Sequence, residues 1–367
     1  MKPNKFVSRF LLYPASRLYG AGVSMRNMMF KCGILRQKKF DIPVIVVGNI
    51  AVGGTGKTPH AEYIISLMRK RYNVGVLSRG YGRKTRGFRM VDDESTPRTV
   101  GDEPYQMYHK YGGDKVVFAV CEDRVKGIEN MLQLHPEISL FVLDDAFQHR
   151  YVKPSVAVVL MEYGRPIFDD SLLPFGRLRE PAEAMDRADI VVVTKCPDDV
   201  KPLEFRMLKN NLKLFHYQKL FFSRFIYRDP VPLFSDSAAP LGALKWLEKN
   251  DTILAVCGIG NPRPFVEYLR SFGMRVKVCL FSDHHYYNAR DFKTIEQRFD
   301  KLSGERKLIL TTEKDAVRML SSRDFPESLK PFIHFIPVEV NFVGLEDESF
   351  DETLNKLIRN SNVAVKK

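Results

Sequence analysis

Val44-Ile45-Val46-Val47-Gly48-Asn49-Ile50-Ala51-Val52-Gly53-Gly54-Thr55-Gly56-Lys57-Thr58-Pro59 is the stretch that decides the fold. It opens as an apolar, β-branched run, passes through a glycine-rich turn and ends in Gly-Lys-Thr. A helical pattern follows, in which Ala61, Ile64, Ile65 and Met68 recur at three- and four-residue steps. Strand, glycine loop and helix in that order form the P-loop arrangement of nucleoside-triphosphate enzymes. The glycines let consecutive backbone N–H groups converge on one point, and the helix aims its positive end there. Ala51, Val52, Gly53, Gly54, Thr55, Gly56, Lys57 and Thr58 are therefore the candidate phosphate-binding loop. Lys57 is expected to reach the β/γ-phosphates and the Thr58 hydroxyl to ligate Mg²⁺. The consensus starts with glycine; Ala51 stands there, small enough for the turn. Pro59 suits a first helical turn.

Downstream, Val74–Leu77, Val116–Val120 and Ile138–Leu143 read as buried strands, with a helix expected over 125–134. The run Ile138-Ser139-Leu140-Phe141-Val142-Leu143-Asp144-Asp145 ends in two aspartates, the pattern of a Walker B element. A carboxylate at that strand end can hold Mg²⁺ beside the P-loop. Alone, the Asp-Asp pair could equally be a turn or a helix cap. From Tyr151 the alternation starts again: 156–161, 190–194, 252–256 and 307–310 read as strands with helices between. Two such series predict two α/β/α domains with mostly parallel sheets, the first of P-loop type. The expected division is an arm over 1–40, a nucleotide-binding domain over 41–150 and a second domain over 151–367. Residues 221–227 are expected as a connecting ribbon and 350–358 as a C-terminal helix.

The 367 residues carry a net charge of +13, which favours an anionic partner. Lys2, Lys5, Arg9, Arg17, Arg26, Lys31, Arg36, Lys38 and Lys39 precede the first acid, Asp41. Over 4–33 one or two amphipathic helices are expected, carrying Phe6, Phe10, Leu11, Leu18, Met25 and Met28. No apolar run there is long enough to span a bilayer. The arm either lies on an anionic leaflet or packs on the domain behind it. The scattered cysteines, without a C-x-x-C pair, argue against a disulfide framework or a zinc site and suit a reducing cytosol. Aromatic interleaving of the kind that stacks bases is not evident, so nucleic acid is not an expected partner. After Val-Thr-Lys, Pro197 stands where a guanine-reading aspartate would be, which argues against guanine specificity.

Several further motifs carry a family likeness. Besides the P-loop they are Ser-Arg-Gly-Tyr-Gly-Arg (78–83), Gly-Asp-Glu-Pro (101–104), Asp-Asp-x-Phe-Gln-His (144–149) and Pro-Phe-Gly-Arg-Leu-Arg-Glu-Pro (174–181). Asp-His (283–284) and Thr-Glu-Lys-Asp-Ala-Val (312–317) complete the series. In this order, over about residues 10–340, the chain resembles the tetraacyldisaccharide 4'-kinase family of Gram-negative bacteria. The resemblance implies MgATP-dependent phosphorylation of the 4'-hydroxyl of an acylated glucosamine disaccharide 1-phosphate, giving lipid IVA in lipid A biosynthesis. It implies a peripheral enzyme on the cytoplasmic face of the inner membrane, with no obligate protein partner, and so favours the leaflet reading of the arm.

By the same likeness Asp102 and His284 form a catalytic pair, acting with Lys57. Asp144, with Thr58, ligates Mg²⁺, Glu180 is a second acidic contributor to the metal region, and Asp145, Gln148 and His149 line the nucleotide site. Arg79 and Arg124 are candidate phosphate or substrate contacts. Without the likeness Asp102 reads as a helix cap and His284 as an ordinary histidine. Coming from different domains, the two are expected to meet on substrate-driven closure. The rival reading is a P-loop NTPase switch or binding module with a protein partner, which predicts hydrolysis without lipid.

Overall fold

A computed structural model describes residues 12–237, 242, 244–344 and 348–363. The expected helical positions Phe6, Phe10 and Leu11 lie outside the described residues. The helices are α1 Tyr13–Lys31, α2 Lys57–Met68, α3 Asp102–Tyr111, α4 Arg124–Leu134, α5 Pro202–Leu212, α6 Arg263–Arg270, α7 Ala289–Asp300, α8 Glu313–Leu320 and α9 Phe350–Val363, with a short helical turn at 97–100. Pro14 sits in the opening turn of α1, where its missing N–H costs nothing.

Strands β1 Val44–Asn49, β2 Val74–Ser78, β3 Arg89–Met90, β4 Val116–Val120, β5 Leu140–Asp144, β6 Val156–Glu162, β7 Ile190–Thr194, β8 Lys219–Tyr227 and β14 Val338–Val343 make one sheet. Its order is β14-β8-β7-β6-β1-β5-β2-β4-β3, parallel except for the two edges. Every residue of β1, β2, β5 and β7 is buried, as strands covered on both faces require. Alternation sorts them between layers. Val44 and Val46 join one core, with Ile128 and Met131 of α4, while Ile45 and Val47 join the other, with Ile64 and Ile65 of α2.

A second sheet is built from β9 Val231–Pro232, β10 Thr252–Cys257, β11 Arg275–Leu280, β12 Lys307–Thr312 and β13 Ile333–Ile336. Its order is β11-β10-β12-β13-β9, with only β9 antiparallel. Leu254 and Val256 face one core, and Ile253 and Ala255 the other.

The expected division near Arg150 does not stand. β6 pairs with β1 on the side opposite β5, so the strands after Arg150 extend the first sheet instead of founding a second. The second sheet occupies an insertion between β8 and β14, after which the chain returns. β14 pairs antiparallel with β8, and Phe350, Leu354 and Ile358 of α9 enter the core beside Ile45 and Val158. The expected ribbon at 221–227 is β8 itself, whose far end leads into the insertion.

Candidate active site

The glycine loop runs from the end of β1 into α2. Gly53 and Gly56 adopt φ of 126° and 86°, a left-handed conformation open chiefly to glycine. At Gly56 a Cβ would stand 2.5 Å from Cζ of Phe225, so bulk is excluded as well. Asn49 fastens the loop from beneath, its Nδ2 donating to Ala51 O (2.6 Å) and to Thr55 Oγ1 (2.8 Å). Thr194, at the end of β7, donates to Thr55 O at 2.8 Å. A covering segment lies over the loop: Val52 N–H donates to Arg177 O (2.8 Å) and Arg179 N–H to Ile50 O (2.7 Å).

Lys57 Nζ stands 3.4 Å from Asn49 Oδ1 and 3.7 Å from Asp145 Oδ1. Arg179 also reaches Asp145, at 3.2 Å. Gln148 donates to Asn49 O at 2.7 Å, which ties the segment after β5 to the start of the loop. Asp144, beside Val47 in the β1–β5 register, is buried, and its Oδ1 has no hydrogen-bond partner. Burial, reinforced by the charges of Asp145 and Glu103, pushes its carboxyl up to about 7. Such an orphaned, strained acid fits a divalent cation, and Thr58 is buried at the first turn of α2. Among the described residues no cluster of His, Cys, Asp or Glu forms a metal cage. A cation held by Thr58 and Asp144 would therefore take most of its ligands from phosphate and water.

His149 accepts from the Arg124 backbone N–H at 3.4 Å, and its Nδ1 is buried without a partner. Burial and the nearby Arg124 lower its pKa to about 4, so the ring is neutral.

Two of the expected residues are buried in hydrogen-bond networks. Glu180 is buried, and its oxygens accept from Arg187 (2.8 and 3.0 Å) and from Asn27 of α1 (3.1 Å). Both oxygens are thereby engaged, and Glu180 ties α1 to the covering segment. Arg124 is likewise buried, donating to Cys121 O at 2.7 Å and Asp144 O at 3.4 Å. It ties the ends of β4 and β5 together. Arg79 is exposed on the loop after β2.

Asp102 and His284 do meet. Asp102 opens α3 on the first sheet's lobe, and His284 lies on the loop after β11 with φ of 56°. His284 Nδ1 is 3.1 Å from Asp102 Oδ2. The contact joins the two lobes. The corner before Asp102 is tight: at Gly101 (φ 96°) a Cβ would lie 3.1 Å from Gly80 Cα, and at Gly80 (φ 70°) one would lie 2.6 Å from Val100 O.

Sequence reasoning passed over Arg318, one residue beyond the Thr-Glu-Lys-Asp-Ala-Val motif. Its wholly buried guanidinium donates to Asp102 Oδ2 from Nε (2.9 Å) and Nη2 (2.8 Å). The one available signal was its spacing: it follows Asp315 by three, on the same face of a short helix. Burial alone would raise the Asp102 pKa, but the His284 hydrogen bond and Arg318 together bring it below the ordinary carboxylate value. The bond to Asp102 chiefly raises the His284 pKa, against its partial burial.

A glycine cradle on β1, a neutral-prone aspartate ending the neighbouring parallel strand and a carboxylate–imidazole pair delivered from two lobes define a P-loop phosphotransferase. The profile of the family described as Tetraacyldisaccharide-1-P 4'-kinase matches residues 8–359. A Tetraacyldisaccharide 4'-kinase of Bacteroides thetaiotaomicron is 46% identical over 358 residues, covering 95% of this chain and 93% of the relative. One from Porphyromonas gingivalis is 41% identical over 95% of this chain and 97% of its own. The crystal structure of the "apo" form of LpxK from Aquifex aeolicus in complex with ATP superposes with a TM-score of 0.72 at 30% identity, covering 95% of this chain and 98% of that one. The chain belongs to the tetraacyldisaccharide 4'-kinase family.

Proposed function

We propose that this chain transfers the γ-phosphoryl group of ATP to the 4'-hydroxyl of a tetraacylated glucosamine disaccharide 1-phosphate, yielding lipid IVA. The observation that carries the reading is the Asp102–His284 contact, made between lobes one residue from Glu103, whose charge acts on Asp144. Backbone amides of 53–58 and Lys57 would bind the phosphates, with Lys57 released from Asp145 as they arrive. Thr58 and Asp144 would hold Mg²⁺, which when bound neutralises charge on the phosphate oxygens. Asp102 Oδ1, buried and without a partner, is the atom that accepts the hydroxyl proton. As it does so, the sugar oxygen bonds to the γ-phosphorus and the bond to the β–γ bridging oxygen breaks. His284 donates from Nδ1 to Oδ2, which orients the carboxylate for that transfer.

The same reading places the enzyme peripherally on the cytoplasmic face of the inner membrane, and the exposed face of α1 supports a membrane contact. Ser16 and Tyr19 donate to Leu172 O and Arg179 O (both 2.8 Å), so one face of the helix packs on the covering segment. The other face leaves Leu18, Met25 and Met28 exposed by 77, 65 and 64%, next to the exposed Arg17 and Lys31. Apolar residues flanked by bases suit an anionic, acylated surface. Among the described residues no helix is long and apolar enough to cross a membrane.

The test is incubation with MgATP and a panel of acceptors: the acylated disaccharide phosphate, its deacylated form, RNA, or none. Label is expected on the first alone, and Lys57→Ala and Asp102→Ala should each abolish transfer. Hydrolysis without any labelled acceptor would overturn the reading.

A further inference from the structure

Asp102 has two oxygens in different circumstances. Oδ2 receives Nδ1–H of His284 and both Nε–H and Nη2–H of Arg318, while Oδ1 is buried with no partner. Arg318 belongs to α8, in the inserted lobe, and its remaining arm is equally committed. Nη1 donates to Gly258 O at 2.8 Å, where β10 ends, and to Asp315 Oδ1 at 3.1 Å. Asp315 is itself held by Thr312 Oγ1 (2.7 Å), Gly258 N–H (3.0 Å) and the Tyr287 hydroxyl (3.2 Å). The guanidinium therefore has one orientation, set by its own lobe, and presents a fork to the other.

We propose that Arg318 is a positioning residue for phosphoryl transfer: it clamps Oδ2 of Asp102 across the lobes and thereby leaves Oδ1 as the acceptor for the substrate's proton. The proposal rests on the kinase reading above. A planar fork can fix the carboxylate plane as well as its distance, which a single hydrogen bond from His284 cannot do. Charge matters too. Asp102 is faced by Arg318 and Lys314 of α8, by His284 and Tyr286 of the loop after β11, and by Glu103 on its own helix. Asp315 and Asp283 stand behind Arg318 and His284 respectively. Arg318 supplies the buried positive charge in direct contact with Asp102 and keeps it ionised, ready to accept a proton.

The experiment measures kcat, KM for ATP, the pH profile of kcat/KM and the thermal midpoint in wild type, Arg318→Gln, Arg318→Lys and Asp102→Asn, in the full chain with the acylated disaccharide phosphate. Misplacing a general base by a fraction of an ångström to one ångström costs about 10²-fold, so Arg318→Gln should lose about that in kcat with KM for ATP nearly unchanged. Its acidic limb should move to higher pH, because removing a cation makes Asp102 easier to protonate. Arg318→Lys keeps the charge without the fork; it should hold the limb near its wild-type position and recover about tenfold of the lost kcat. A merely structural role would lower the active fraction and leave the limb in place. Wild-type kcat in folded Arg318→Gln, or a fall in kcat with an unmoved limb, would overturn the proposal. Should Arg318→Gln not fold, Arg318→Lys decides: wild-type kcat there also overturns it. No transfer by wild type would instead sink the kinase reading, which separates the two failures.

Discussion

Asp102 and His284 titrate towards each other. The carboxylate sits below its ordinary value and the imidazole above its own. Asp102 thus contributes stability above about pH 4 that is lost as pH falls through its lowered value. His284 contributes below about pH 6.5 and loses it as pH rises through its raised value. The link is strongest between those limits. The midpoint difference between wild type and His284→Gln should peak in that window; a pH-independent difference would count against the ion pair. A second histidine sets a slope opposite to that of His284. His60, buried below the P-loop, donates from Nδ1 to Gly56 O and accepts from Ser223 Oγ, both at 2.8 Å, and burial lowers its pKa to about 4. Folding must keep it neutral, so about 3 kcal/mol of stability should be lost as pH falls from its unfolded value through the folded one. Urea unfolding at pH 7 and pH 5 should show a smaller loss in His60→Gln. At this scale the motif aspartates and Lys57 were legible because phosphate chemistry restricts what can stand there. Arg318 and the contacts of Glu180 were not, since both depend on partners more than a hundred residues away or on another element.

The P-loop shows what an element can reveal about itself. Its glycines at 53 and 56 have the backbone that its spacing predicts, because a loop of converging amides admits few residues. Gly56→Ala adds a methyl against Phe225 at a left-handed position, and calorimetry should find ATP affinity reduced by tenfold or more, with about 1–2 kcal/mol less stability. Helix α1 shows the opposite case. Its stripe of apolar residues was visible, yet the stripe could not say which part faces protein. The structure divides it: Gly20 and Phe30 are buried and Leu18, Met25 and Met28 are exposed. Deleting the arm would also remove the Asn27, Tyr19 and Ser16 anchors of the covering segment, so the informative variant is Leu18→Ser/Met25→Ser/Met28→Ser. It should lose co-sedimentation with anionic vesicles while keeping the wild-type thermal midpoint; unchanged sedimentation would exclude this face.

Across the whole molecule, α3 and α8 join the lobes through three charge pairs. Arg318 reaches Asp102 (2.8 Å), Lys314 reaches Glu103 (2.8 Å), and Lys110 of α3 reaches Glu313 (2.9 Å). These pairs hold the two lobes together. Small-angle scattering reads the integrity of this contact through the radius of gyration. Lys314→Glu with Lys110→Glu should raise that radius and lower kcat tenfold or more, because like charges would then face each other across the contact. A compact, fully active double variant would dismiss the latch. The amino-acid order alone determined the phosphate loop, the aspartates beside it, the alternation of strand and helix and the family likeness, since each follows from neighbours within a few residues. Which sheet the strands after Arg150 join was decided only in three dimensions, because a strand buried on both faces looks the same in either sheet. So was the meeting of Asp102, His284 and Arg318, which depends on the chain leaving the first sheet at β8, building a second and returning at β14.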